Sequence, residues 1–313
     1  MIKFFVTCVS LVLILSSCQA TQDDINNTLP TTQVNWTPFP SPTPFPTYTP
    51  PPTYTPYLTH TVFPSAIPSD APPSSEMVTI PAGEFLIGCD PWDSRAPCLD
   101  GESPSHYVYL DVYAIDLMEV KNSQYALCVE AGVCRPPNFG NFDLQQAKYE
   151  NPAFGEYPIT NIDWYDARDY CTWVGKRLPS EAEWEKAARG DLDERFYPWG
   201  DAIPDCSLVN FMGLNGDCPG TTTPVDDFHA GTSPYGVFNL AGNVGEWVAD
   251  WYDANYYLAE PSDNPQGPDQ GFERVIRSGS YNSDWIGIRV NWRGHNPPYF
   301  RSGDLGFRCA RDS

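Results

Sequence analysis

Basic residues are scarce in this chain of 313: 18 Lys and Arg stand against 40 Asp and Glu, and no base lies between Lys3 and Arg95. Only Asp23, Asp24 and Asp70 are acidic before residue 76, so residues 76–313 hold 37 acids against 17 bases, a net charge of −20. A field of that sign repels phosphate backbones and anionic membrane faces, which excludes a nucleic-acid partner. It leaves two readings, plain solubility of an exported domain or attraction of divalent cations. Histidine is nearly lacking too: His60, His106, His229 and His295 are far apart in sequence and show no metal-ligand spacing. His106, in an alternating strand-like stretch, reads as structural. No Gly-x-Ser-x-Gly elbow occurs, and Ser280 has no base close to it in sequence. The apolar run near the start is shorter than the ~20 residues a membrane span needs.

That run follows Lys3 and ends Leu15-Ser16-Ser17-Cys18, a charged n-region, a short h-region and small residues before a Cys. The pattern reads as an export signal over residues 1–18 and resembles the bacterial lipobox, in which the Cys becomes the lipidated first residue. On that reading Cys18 anchors the protein to the membrane with the rest outside the cytoplasm; the alternative is a secretion signal with an incidental Cys. Residues 19–75 are rich in Pro and Thr, and from residue 28 Pro is too dense for helix or internal strand. This predicts an extended spacer, its Thr residues open to O-glycosylation, with recognition by a partner domain as the sharper alternative. One folded unit is then expected over residues 76–313.

Apart from Cys8 and Cys18, eight cysteines remain, an even number in an oxidising compartment. Three close pairs suggest themselves: Cys89 with Cys98, Cys128 with Cys134, and Cys206 with Cys218. Cys171 and Cys309 are left, and eight cysteines allow 105 pairings.

Residues 77–88 alternate apolar and polar side chains and then turn, predicting a strand or hairpin with residues 106–115 as its partner. A helix is expected from Asn122, as N-cap, to Ala131, stopped by Gly132, with Tyr125, Cys128 and Val129 on one face. Asp163 caps a second, ending at Gly175, with Ala167, Tyr170, Cys171 and Val174 at helical spacing. The third signal is the fullest: Ser180 and Glu183 form a capping box, acids fill the first turn, bases the last, and Gly190 ends it. Beyond it, Gly, Pro and aromatic residues predict long loops packed by Trp and Tyr.

Within that loop region, Asn239-Leu240-Ala241-Gly242-Asn243-Val244-Gly245-Glu246-Trp247 brings two Asn, a Glu and several carbonyls together. Gly242 and Gly245 are read as letting the backbone fold back, and the composition suits a hard cation with oxygen ligands. A plain turn between apolar runs is the competing reading.

Six segments in order resemble the sulfatase-modifying factor, or formylglycine-generating enzyme, family over residues 77–311. They are Pro81-Ala82-Gly83-Glu84-Phe85-Leu86-Ile87-Gly88, Glu119-Val120-Lys121-Asn122, residues 176–190, Tyr197-Pro198-Trp199-Gly200, the stretch just quoted, and Gly306-Phe307-Arg308-Cys309-Ala310. The resemblance implies an α+β, C-type-lectin-like fold with little regular secondary structure. It implies one structural calcium ion on the Asn239 side chain, the Gly242 and Val244 carbonyls and Glu246. A second would use Asn210, the Phe211 carbonyl, Asp217 and the Pro219 carbonyl. It also pairs the Cys at the Cys171 position with that at Cys309.

The departures bear on activity. Active members oxidise a substrate cysteine to formylglycine with copper on two thiolates, placed shortly after an Arg-Gly-Gly-Ser-aromatic motif. Here the motif reads Arg277-Ser278-Gly279-Ser280-Tyr281, Ser283 occupies the first Cys position, and no Cys lies between Cys218 and Cys309. A hydroxyl does not replace a copper thiolate. Gly245 stands where the family commonly has an aromatic residue. Some relatives are iron-dependent sulfoxide synthases, whose iron takes two or three His; the His spacing here offers none. The expectation is therefore a calcium-stabilised binding or accessory module without a copper site and without assigned catalytic residues. Its peptide, protein or glycan ligand is expected in the family's groove near Ser280, Tyr281, Ser283, Trp285, Arg289, Trp292 and Arg293. Core packing is the competing reading for Trp285 and Trp292, and an oxidoreductase of the formylglycine-generating or another metal-dependent type is the rival function.

Overall fold

Pro81 and Ala82 split the first alternating stretch into two strands, β1 (Met77–Ile80) and β2 (Gly83–Ile87), since proline supplies no ladder N–H. The computed structural model describes residues 75–313 except 96, 140–143, 192–194 and 216–217, so the expected signal, the anchor at Cys18 and the spacer lie outside the described residues. Residues 106–115 divide likewise into β3 (His106–Leu110) and β4 (Tyr113–Asp116). The expected antiparallel partnership forms, β1 with β4 and β2 with β3, but the pairs belong to two sheets rather than one hairpin. β9 (Ala310–Asp312) adds to the other edge of β4, which returns the C-terminus to the sheet that holds the first strand.

Four α-helices are described: α1 (Asn122–Glu130), α2 (Leu144–Glu150), α3 (Trp164–Trp173) and α4 (Glu181–Arg189). Asn122 begins α1 as its first helical residue, not as its cap; its buried amide instead donates to the Phe154 carbonyl. The Asp163 cap of α3 forms, and so does the Ser180–Glu183 capping box of α4, with Gly132, Gly175 and Gly190 at positive φ beyond α1, α3 and α4. The sequence reading missed α2. Its Lys148 is buried against oxygens of Thr221 and Thr222, and burial pushes its amine down to about 8.

The third sheet runs in the order β7 (Gly294–Asn296), β6 (Arg274–Arg277), β5 (Gly245–Trp251), β8 (Leu305–Phe307), with β5 and β8 parallel. α4 lies between this sheet and the β2–β3 pair, and all nine of its residues are buried. Its charges are therefore internal. Arg277 bridges Glu181 and Glu185, Arg293 forks onto Glu181, and Lys186 donates to the Pro81 and Gly83 carbonyls. Trp184 fills one core with Val248, Val275 and Tyr257; Trp247 fills a second with Tyr170, Ile276 and Phe307.

All four disulfides form as read: Cys89–Cys98, Cys128–Cys134, Cys206–Cys218, and Cys171–Cys309, which ties α3 to the segment between β8 and β9. Long loops carry most of the remaining chain, as its Gly and Pro content predicts.

Candidate functional site

The Asn/Gly stretch forms a turn that feeds β5. Asn239, Gly242 and Asn243 have φ of 52°, 73° and 57°, the left-handed region that Asn and Gly tolerate. At Gly242 a Cβ would stand 2.2 Å from the Asn210 carbonyl oxygen, so the close approach of the two loops requires glycine. Gly245, by contrast, is not part of the fold-back. It lies in β5, where a Cβ would meet Ile276 Cγ2 at 3.1 Å, so its smallness serves packing between strands.

Polar side chains converge behind this turn. Asn239 Nδ2 and Asn243 Nδ2 donate to the two oxygens of Glu119 at 3.0 and 2.9 Å. Glu246 is fully buried and accepts from Arg308 Nη2 at 2.6 Å, Arg308 Nε at 2.8 Å and Trp184 Nε1 at 2.8 Å. The Arg308 guanidinium is thus hydrogen-bonded to Glu246, while Glu119 feels it through charge. Burial raises the Glu119 pKa to about 7, with Arg308 opposing and Glu246 reinforcing the rise. Asn210 Nδ2 reaches Asn243 Oδ1 and the Thr221 carbonyl, while its own Oδ1 is buried with no hydrogen-bond partner. Asp217 lies outside the described residues. Among the described residues no group of three or more His, Cys, Asp or Glu is placed to hold a metal; the candidate donors are amides, carbonyls and single carboxylates.

Beside β5 the 278–283 loop shapes a cavity of about 150 Å³ lined by Gly245, Ile276, Ser280, Ser283, Trp292, Asn296, Phe300, Ser302, Asp304 and others. Ser280 donates its backbone N–H to Ser283 Oγ at 3.0 Å and its hydroxyl to Asp304 Oδ2 at 2.9 Å; the Ser302 hydroxyl donates to Asp304 Oδ1. Ser278 holds φ at 79°, strained for a side chain, and its hydroxyl ties the loop to the Asn239 and Gly242 carbonyls at 3.1 Å each. The Tyr281 N–H donates to the Asn243 carbonyl, a second link between cavity and turn.

Of the expected groove residues, Ser280, Ser283 and Trp292 meet in this cavity, with Tyr281 half-buried at its edge. Trp285 does not: it lines a separate cavity of about 440 Å³ with Phe196, Tyr197, Ile203 and Leu214. Arg289 and Arg293 are core residues. Arg289 is wholly buried on Glu102 at 2.9 and 3.0 Å, and Arg293 on Glu181 at 2.7 and 2.8 Å, so neither guanidinium is free for a ligand. Sequence reasoning missed Asp304, Ser302, Asn296 and Phe300 in the cavity and Glu119 behind the turn. Asp304 directly precedes Leu305 and the Gly306-Phe307-Arg308 segment, and Glu119 opens one of the quoted segments; position beside a motif was the available signal.

Fold and site together define an α+β domain of C-type-lectin-like kind, with a loop-held Asn/Gly turn feeding its third sheet and a small polar cavity whose loop is hydrogen-bonded to that turn. The chain belongs to the sulfatase-modifying factor, or formylglycine-generating enzyme, family: residues 63–313 match the family described as Sulfatase-modifying factor enzyme 1-like domain. It is 33% identical to the formylglycine-generating enzyme of Bos taurus, over 80% of this chain and 78% of that protein. It is also 33% identical to the inactive C-alpha-formylglycine-generating enzyme 2 of Bos taurus, over 75% of this chain and 87% of that one. The solved structure of PvdO from Pseudomonas aeruginosa superposes with a TM-score of 0.63 at 26% identity, covering 76% of this chain and 95% of the other. The family thus holds both formylglycine-generating enzymes and an inactive paralogue, and equal identity to one of each leaves the choice to the site.

Proposed function

We propose that this protein is a binding or accessory module of the family, calcium-stabilised, exported and lipid-anchored through Cys18, without copper-cysteine oxidase activity. One observation carries the reading. Every cysteine from Cys89 to Cys309 is held in a disulfide, while Ser283, at the motif position of a copper thiolate, lines the cavity with a hydroxyl. Copper(I) is held by soft thiolates, and a serine hydroxyl is a hard, protonated donor. The retained cavity supports binding of a peptide, protein or glycan. Residual oxidoreductase activity is the second reading, supported by the 33% identity to the bovine enzyme.

For calcium, the residues of the turn would be Asn239, the Gly242 and Val244 carbonyls and Glu246. A second ion would use Asn210, the Phe211 carbonyl, Asp217 and the Pro219 carbonyl. The Asn210 Oδ1, buried with no hydrogen-bond partner among the described residues, supports a hard cation at the second of these sites. A bound ion would supply charge compensation and pin the turn.

Peptide mapping of the protein denatured without reductant should find no alkylated cysteine in residues 76–313, and dialysis against Cu(I) should leave no stoichiometric copper. Two reactive thiols holding one copper would establish the oxidase reading instead. Chelation should lower the melting temperature and calcium restore it, since ligand at a hundredfold its Kd stabilises by about 2.7 kcal/mol. An unchanged melt would remove calcium from the proposal.

A further inference from the structure

The small cavity has a charge of one sign. Among the described residues Asp304 is the only ionisable one lining it; Ser280, Asn296 and Ser302 are neutral, and Trp292 and Phe300 form aromatic walls. Asp304 accepts from the hydroxyls of Ser280 and Ser302 and, at 3.5 Å, from the Asn282 amide, and among the described residues no cation pairs with it. The nearest cation in sequence, Arg301, points its guanidinium at Asp163 and Asp166, both at 2.7 Å. Three donors, one of them long, leave about one of the roughly four acceptor positions of a carboxylate open, and none of the three carries a charge. The space beside it exists because Gly245 contributes no side chain and Ser283 a short one.

The geometry points to this cavity as a subsite for a cationic side chain, Lys or Arg, of a bound peptide. Asp304 is the counter-ion, and Trp292 and Phe300 hold the aliphatic stem. The subsite rests on the peptide-binding reading above and adds the class of residue the site selects. A carboxylate in a narrow, partly dry pocket attracts a cation more strongly than in bulk water, and aromatic walls add cation–π attraction. A glycan hydroxyl would satisfy hydrogen bonds there but leave the charge uncompensated. The acidic exterior favours the same partner, drawing cationic peptides toward the surface.

The test uses two probe sets on the full-length protein. Peptides Ac-Ala-Ala-X-Ala-Ala-amide, with X as Lys, Arg, Gln or norleucine, are titrated by calorimetry. n-Butylammonium and n-propylguanidinium are compared with 1-butanol and propylurea by the NMR shift of the Trp292 indole. Cationic probes should bind about tenfold more tightly than neutral ones, the scale of one partly desolvated ion pair. Asp304→Asn, which leaves untouched the backbone bond from the Gly245 N–H to the residue 304 carbonyl, should bring that ratio to about one. Ser302→Ala, which alters the same carboxylate without changing charge, should preserve it. Equal binding of cationic and neutral peptides overturns the subsite and leaves peptide binding standing. Small cations that bind through Asp304 while no peptide binds support the subsite and overturn peptide binding. A ratio that survives Asp304→Asn, or no binding of any probe, overturns the subsite.

Discussion

The carboxyl of Asp250 is fully buried, and burial together with the neighbouring charge of Glu181 lifts its pKa to about 8, although the Glu181 backbone N–H donates to it at 2.7 Å. The sign follows from linkage. The folded state holds this proton from about pH 4 to about pH 8 while the unfolded chain has lost it, so stability falls as pH rises through that window. At about 1.4 kcal/mol per pH unit the upper bound is roughly 5 kcal/mol. Asp250→Asn, which keeps an acceptor for the N–H, should flatten the decline and raise the melting temperature at pH 8; denaturant unfolding at several pH values would check it. Single residues were also where sequence reading went furthest astray. Arg289 and Arg293 have side chains suited to a ligand, but their carboxylates, Glu102 and Glu181, lie more than a hundred positions away, and nothing local announces such pairing.

At the scale of elements, α4 is the clearest case of a correct local reading with an unforeseen setting. Ser180, Glu183 and Gly190 fixed its limits from sequence, because capping acts within one turn. Its charges read as first-turn acids and last-turn bases, yet they are buried, and β6 and the segment after it bring Arg277 and Arg293 against Glu181 and Glu185. Arg277→Met should therefore cost roughly 3–5 kcal/mol by leaving two buried carboxylates short of a partner. Replacing Arg277 together with Glu181 and Glu185 by apolar residues should recover part of the loss, measured by chemical denaturation. The same limit explains the strands. Alternation at residues 77–88 and 106–115 foretold the pairing, whereas the third strand of the first sheet, β9, arrives from the far end of the chain, which nothing local announces. Gly245 is the mirror case, a glycine that looks like a turn residue and is a strand residue because Ile276 and Leu305 crowd it.

For the whole molecule, Cys171–Cys309 closes 138 positions and Cys128–Cys134 only 6. Loop-closure entropy puts the first at roughly 5 kcal/mol and the second at roughly 2, so removing the long bridge should lower the melting temperature far more than removing the short one. The C-type-lectin-like fold was legible because six segments keep their order, but the cavity was only half legible. Ser280 and Ser283 belong to a motif, whereas Asp304 and Phe300 arrive from a loop with no pattern of its own. On the proposed reading the cavity binds a ligand, with Ser283 at the position of a copper thiolate. The most direct test of that reading is incubation of a cysteine-containing sulfatase-type peptide with the purified protein, copper, calcium and reductant, read by mass spectrometry. A binding module without oxidase activity leaves the peptide cysteine unoxidised; conversion to formylglycine with multiple turnovers would identify an oxidase instead.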